Sequence, residues 1–385
     1  MKHLKFLFEY IKTEINLILS DRSLIMILLV SPIFYSLFYG SIYLNKTSHN
    51  LPIGIIDNQK STISRKLTNS INSHPKLKVK QEFWDFTEAK KSFSMEEVYA
   101  LIVIPENFDK NLRYEKPIHI QLFLNNTRFL ISNEISKALT DVLLDYNKNQ
   151  VKKYYNKIGI NNSRAKVLSE PINIEIKNIF NTTESYGDFL IPAIFLLILH
   201  QTLLMAASAS FIISLKNRWL IISKEEKYLS ILAKLLVYIL FYLSYTIFLN
   251  TVIMDLFHIP KNGSLFSLLL ISTLTISATF FVGVLTSTFF EDRINLFRVI
   301  TLTSYPIFLL SGFSWPQNAM PKLISYVSLL VPFTAYSRAF SIVILFGGTI
   351  QNILQQLFIL VFLNLISAYL LTRRLNKLSQ KHKGV

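Results

Sequence analysis

The chain has no cysteine in 385 residues, which removes disulfides, thiolate metal sites and thiol nucleophiles together. Glycine is scarce, at 10 residues, and no Gly-x-x-x-x-Gly-Lys-Ser/Thr segment occurs among them. Without that phosphate-cradling loop the chain has no P-loop route to ATP hydrolysis. His-Glu-x-x-His and Gly-x-Ser-x-Gly are absent too, and the 7 histidines are scattered. Nothing in the sequence reads as an enzyme. Acidic residues are also missing from the middle of the apolar runs, where a carrier driven by an ion gradient would need them.

What is present is apolar. Hydrophobic residues make up 51% of the chain, 30 of them Phe, and mean hydropathy is +0.37. Long apolar runs of this kind belong to bilayer proteins. The net charge of +16 is dispersed along the flanks of those runs, which orients spans and does not describe a nucleic-acid partner. Residues 1–22 carry Lys2, Lys5, Glu9, Lys12, Glu14, Asp21 and Arg22, too many charges for a cleavable signal core. Leu4, Leu7, Phe8, Ile11, Ile15, Ile18 and Leu19 recur there at three- and four-residue steps, which predicts an amphipathic helix in the cytoplasmic interface.

A first span is expected over residues 23–44; at the helical rise it is roughly 33 Å long, enough to cross the hydrocarbon core. Residues 45–187 are polar and alternate between strand-like and helix-like pieces. Strands are expected at Ile53–Ile56, Leu77–Val79, Tyr99–Ile104 and Ile118–Leu124, and helices at Ser61–Ile71, Thr87–Phe93 and Phe129–Tyr155. That alternation predicts a compact α/β domain. Residues 188–372 return to the membrane, with spans expected at Phe189–Leu215, Leu235–Phe257, Leu265–Phe290, Ile294–Trp315 and Ile350–Leu371. Between the last two, residues from about 316 to 348 are apolar but interrupted at Pro332. A basic tail, 373–385, closes the chain.

Lys and Arg collect in residues 1–22, in the Lys216–Lys234 loop, in Glu291–Arg298 and in the tail, whereas the His258–Ser264 loop has only Lys261. Short cytoplasmic loops gather such residues, so both termini are expected inside and the number of spans even. The fold expected is an α-helical polytopic membrane protein, six spans plus a re-entrant hairpin, with an inserted extracytoplasmic α/β domain.

Ionisable residues near the spans are His200, Asp188 and Asp255. His200 is a proton-relay group or an interhelical hydrogen-bonding partner, and both aspartates are expected to be solvated at the interface. Ala206, Ala207, Ser208, Ala209 and Ser210 allow close helix approach, a seam suited to a second subunit. Ser272, Thr273, Thr275, Ser277 and Thr279 line a path or pack between helices. The loop residues Lys216, Arg218, Lys224, Glu225, Glu226, Lys227 and Lys234 form a basic element, helical from about Ser223 with Ser223 and Glu226 spaced as a capping box. It is either a coupling element or an ordinary positive-inside loop.

The most telling stretch is Leu309–Tyr336, with Ser311, Gly312 and Phe313 closing a span, Pro316, Met320 and Pro321 in a turn, then Pro332, Thr334 and Tyr336. It resembles the signature segment of type-2 ABC export permeases. Within Ile53–Arg65, Asp57, Ser61, Ser64 and Arg65 are similar to that family's outer-domain opening, as are Pro105 and Phe108 in Ala100–Phe108. Ile231–Tyr238 resembles its Gly-Lys-x-x-x-Tyr span entry, with Ala233 in place of Gly. The preceding loop departs from the family in having no Gly-Thr and in placing basic residues first. The resemblance implies a permease subunit of the bacterial inner membrane that exports a drug, lipid or polymer. It implies a cytoplasmic ABC ATPase partner holding ATP and Mg, a second permease subunit, membrane lipids and a periplasmic membrane-fusion adaptor, with no cofactor on this chain. The competing class is a non-transporting receptor or assembly scaffold, which needs far fewer spans.

Overall fold

The computed structural model describes residues 2–171, 177–216 and 224–383. Contacts divide the chain into a membrane unit, Met1–Lys46 with Asn178–Val385, and a second unit, Thr47–Lys177. Helix α1 (Lys2–Ser20) turns its apolar stripe inward, with Ile18 buried while Leu4 and Phe8 stay exposed. Asp21 separates it from α2 (Arg22–Ile42), whose N-terminus it caps by accepting the Ser23 and Leu24 amides at 2.9 and 3.2 Å.

The second unit is α/β. Strand β1 (Leu51–Asp57) lies parallel between β2 (Leu77–Phe83) and β3 (Ala100–Ile104), and β4 (Gln121–Leu124) pairs antiparallel with β3, giving the order β2-β1-β3-β4. Helices α3 (Thr62–Asn72) and α4 (Phe86–Ser94) carry the chain between the parallel strands. Ile53, Ile55, Ile102 and Ile104 pack on one side against Leu67 and Ile71 of α3 and Ile135 and Leu139 of the long helix that follows β4. Ile56, Leu101 and Phe83 pack on the other with Ala89 of α4. Burial on both faces explains why β1 reads as a continuous apolar run and does not alternate. Each such side chain contributes about 1.5–3 kcal/mol.

Helix α5 (Phe108–Arg113) follows β3, and β4 is followed by α6 (Phe129–Lys157) and α7 (Asn162–Ser169). The strand expected from Ile118 begins only at Gln121, because Gln121 already pairs with Val103 and only Ile104 of the short β3 remains beyond it. Residues 172–176 are outside the described residues.

The membrane unit continues with α8 (Tyr186–Lys216), α9 (Glu225–Leu256), α10 (Leu265–Ser287), α11 (Arg293–Leu310), α12 (Lys322–Ser328), α13 (Pro332–Leu345) and α14 (Ile350–Gln380). Among the described residues five helices, α2, α8, α9, α10 and α14, are long and apolar enough to cross a membrane, or up to six if the α12–α13 pair, bent by 87°, is one span; α11, at the place of the expected span Ile294–Trp315, is not one of the five. At the helical rise the arms of that pair reach only about 10 and 20 Å, each short of the roughly 30 Å core. Helix α11 stops at Leu310, earlier than Trp315, because Gly312 takes a left-handed φ of +89° that glycine adopts freely. Helix α9 is already formed at Glu225, in line with the helix expected from about Ser223, and it runs without a break into the span expected from Leu235; Lys227, Ile231 and Lys234 share one buried face along it. The tail is not free: α14 runs on through it, burying Leu375.

Among the described residues three stretches are π-helical: Met26–Val30, Leu249–Ile253 and Ser341–Leu345. Side chains take up carbonyls in or beside each. Ser31 Oγ donates to Met26 O at 2.8 Å, Lys261 Nζ to Asn250 O at 2.8 Å, and Asn262 Nδ2 to Leu345 O at 2.9 Å. Such stretches persist in apolar surroundings only when the released groups are satisfied.

The small residues of α8 are consumed within the chain. Ala206, Ala207, Ser208, Ala209 and Ser210 are all buried, and Ser208 Oγ donates to Gly283 O of α10 at 2.8 Å. A Cβ at Gly283 would stand 3.0 Å from Ser208 Oγ, so the close approach depends on that glycine. The expectation of a subunit seam here is therefore corrected: the seam joins α8 to α10 of one chain.

Candidate functional site

At one end of the membrane unit, polar side chains tie four helices together, α1, α8, α9 and α14. Glu14 sits on the apolar stripe of α1, one turn from Ile11 and from Ile18. It forms an ion pair with Lys234 of α9, and Ser210 Oγ of α8 donates to its Oε1 at 2.5 Å. Lys234 Nζ also reaches Ser210 Oγ at 2.7 Å. Glu14, Lys234 and Ser210 are 2%, 4% and 0% exposed, so the pair is closed to solvent. One turn further along α9, Tyr238 donates to Ala206 O at 3.0 Å. At the start of α9, Lys227 Nζ reaches Ser379 Oγ of α14 at 2.6 Å.

The same end carries two more ties. Asp21 pairs with Arg293 of α11 at 2.5 Å. Burial pushes the Asp21 carboxyl up, but the Arg293 guanidinium and the Leu24 and Ser23 amides together hold it below the usual carboxylate range. Arg374 of α14 stacks over Phe289 at 4.6 Å and donates to Thr288 O at 3.4 Å, beyond the end of α10.

Of the expected coupling residues, Lys227 and Lys234 are thus brought into the bundle, while Lys216 and Glu225 are exposed. Lys224 opens a helix, and Glu226 is half-buried. Arg218 and the capping Ser223 lie outside the described residues. Glu14 was legible only as a charge, although an acid on an apolar helix stripe signals a buried partner.

The opposite end carries the signature segment. Ser311 is buried and its carbonyl accepts Ser337 Oγ at 3.1 Å, while Thr334 Oγ1 reaches Leu310 O at 3.4 Å. These bonds fasten the end of α11 to the start of α13, which Pro332 opens at a position needing no amide donor. Tyr336 shares a 3.0 Å hydrogen bond with Ser272 of α10. Phe313 lies 5.9 Å from the Phe189 ring, Pro316 and Pro321 precede the next two short helices, and Met320 is half-buried between them.

Asp188 corrects an expectation. It is 5% exposed, pairs with Lys46 at 2.8 Å and accepts Thr183 Oγ1 at 2.9 Å, so it is not solvated. Lys46 also donates to the His258 carbonyl. Asp255 is exposed and pairs with Lys261 at 2.6 Å. His200 is buried, with Nδ1 3.2 Å from Thr279 Oγ1 and its ring 5.4 Å from Phe333, an interhelical contact. Thr273, Thr275 and Ser277 hydrogen-bond to their own helix backbone, which is packing chemistry.

In the α/β unit, Asp57 at the end of β1 accepts Ser64 Oγ at 2.6 Å and the Gln59 and Lys60 amides at 3.0 Å. Ser61 caps α3 in a capping box with Ser64 and donates to Asp109 at 2.7 Å. Arg65 is exposed; Pro105 accepts the Phe108 amide at 3.1 Å, and the Phe108 ring is in the core. These residues shape a strand-to-helix turn. Among the described residues no group of three or more His, Cys, Asp or Glu is placed to hold a metal.

The sequence that folds in this way has relatives. A family model for ABC-2 family transporter proteins matches residues 22–371. Proteins of Escherichia coli strain K12 and of E. coli O157:H7, each named "Probable multidrug ABC transporter permease YbhS", are 22% identical over 335 residues, covering 83% of this chain and 83% of theirs. The chain belongs to the ABC-2 family of transporter proteins.

Proposed function

We propose that the chain is the permease subunit of an ATP-driven exporter in a bacterial inner membrane, moving a hydrophobic or amphiphilic molecule outward from the cytoplasm or inner leaflet. In this reading both termini and the Lys216–Lys234 loop are cytoplasmic, the 18-residue α11 crosses as a sixth span beside the five longer ones, the α12–α13 pair is re-entrant, and the Thr47–Lys177 unit is outside. ATP and Mg belong to a separate ATPase, and a second permease chain, identical or homologous, completes the path. The outer unit passes substrate to a periplasmic adaptor. The naming of the E. coli relatives as multidrug permeases supports the substrate class.

The observation that carries this reading is the buried Glu14–Lys234–Ser210 cluster. A partner acting on the basic end would act on α1, α8 and α9 together. Breaking a buried pair costs about 3–5 kcal/mol. Inverting a two-state population takes about 5.5 kcal/mol. Drawing most of that energy into a broken pair would leave little to drive the change, so the three helices move as one body. Affinity purification of the tagged chain from native membranes, with subunits counted by mass spectrometry, tests the proposal. A stoichiometric P-loop ATPase is expected; reproducible purification without one, under conditions that preserve known complexes, points instead to a scaffold.

A further inference from the structure

A cavity of about 620 Å³ lies in the membrane unit beside the Ser311–Phe313 turn. Two aromatic pairs form much of its wall: Phe180 with Phe346, ring centroids 5.1 Å apart, and Phe189 with Phe313 at 5.9 Å. Ile342 and Leu345 add aliphatic surface. Two charged residues also line it, Asp188 and Arg338, and they differ in what they have to bind. Asp188 is taken up by Lys46 and Thr183. Arg338 has, among the described residues, one long hydrogen bond, from Nη1 to Gln317 Oε1 at 3.4 Å, and no carboxylate within ion-pairing distance. A guanidinium offers five N–H donors in a planar fork.

Arg338 is also the one exposed residue in Pro332–Phe340, where every neighbour is buried. The helix therefore spends its only open position on a cation facing an aromatic chamber. An unneutralised charge in an apolar segment is costly and marks a site by default. The cavity has the size of a small-ligand pocket, mostly apolar with few polar groups that fix orientation.

We infer that this cavity binds an anionic amphiphile, its phosphate, sulfonate or carboxylate head on the Arg338 guanidinium and its hydrocarbon between the two aromatic pairs. The inference rests on the permease reading and names the chemical class of the molecule handled. A lipid headgroup and a free amphiphile share this chemistry.

The test uses the full chain, purified with its co-purifying subunits and held in phosphatidylcholine nanodiscs. The probe is dodecyl phosphate with a diazirine at the chain end; dodecanol with the same diazirine is the neutral comparison. After illumination, labelled peptides are mapped by mass spectrometry. Dodecyl phosphate is expected to label residues around 311–318 and 341–346, well above dodecanol. Arg338→Gln is expected to lower that labelling on the order of tenfold, the effect of losing a charge-assisted hydrogen bond, and Arg338→Lys to retain much of it. Leu345→Trp, which fills the cavity and leaves Arg338 in place, is expected to block labelling too, so the proposal remains testable should Arg338→Gln fail to fold.

Phosphatidylglycerol added to the nanodisc separates the sources. Loss of labelling identifies a headgroup as occupant, and unchanged labelling identifies a free amphiphile. Equal labelling by the two probes, or labelling unchanged in both Arg338→Gln and Leu345→Trp, overturns the inference. Absence of an ATPase from the purified complex counts against the permease reading and leaves the labelling result to be judged separately.

Discussion

Glu14 and Lys234, 220 residues apart in the chain, meet as an ion pair whose side chains are 2% and 5% exposed. Ser210 bonds to both, so each charge has a second partner and neither faces lipid alone. A pair so enclosed is held by geometry more than by net energy, because desolvation of both ions offsets most of their attraction.

That balance makes the pair readable by a mutant cycle. Glu14→Leu or Lys234→Met alone leaves a buried charge uncompensated and is expected to cost about 3–5 kcal/mol. The double variant is expected to recover most of the loss. Melting of the detergent-solubilised protein checks this; a double variant as unstable as the sum of the singles would show that the two groups do not interact.

Asp21 makes stability depend on pH. Its folded-state pKa is depressed, so its contribution is full above the unfolded value near 3.9 and is lost as pH falls through the lower folded value. Asp21→Ala is expected to cost about 0.5–2 kcal/mol at neutral pH, as for loss of a helix cap. The gap between wild type and variant should close below about pH 4. A gap that widens on acidification would reverse the assigned sign.

The absence of native cysteine makes topology directly measurable. Tyr114→Cys, at an exposed position of the α/β unit, is expected to react with a membrane-impermeant maleimide in cells whose outer barrier is permeabilised. Asn376→Cys on α14 is expected to react only after the inner membrane is opened. Reversed accessibility would invert the proposed orientation.

Gln201 of α8 has both polar atoms of its carboxamide buried without a hydrogen-bond partner among the described residues. Replacing such a group with an apolar one of similar size removes an unmet desolvation cost of about 1–3 kcal/mol. Gln201→Leu is therefore expected to raise the melting temperature. A lowered one would reveal a partner for the amide.

Much of the fold was legible from periodicity, because apolar runs and alternation report burial directly. The helix expected at Ser61–Ile71 is α3, with Ser61 as its cap. What periodicity does not contain is the identity of the facing element. The Ala206–Ser210 stretch announced close packing but not whether its partner was α10 or another subunit. Asp188 looked solvated because Lys46, its partner, is 142 residues away. Arg338 was passed over because its meaning depends on the cavity beside it.

The π-helical stretches carry a consequence for anyone mapping the lipid-facing surface. Each inserts one residue beyond the regular turn, so a wheel drawn at constant angle through α9 goes out of phase at Leu249–Ile253. Positions before and after it belong to two separate angular frames. A tryptophan scan along α9 should show tolerance repeating with the helical period up to Phe248 and a phase jump at Leu249–Ile253 that carries into the last turn.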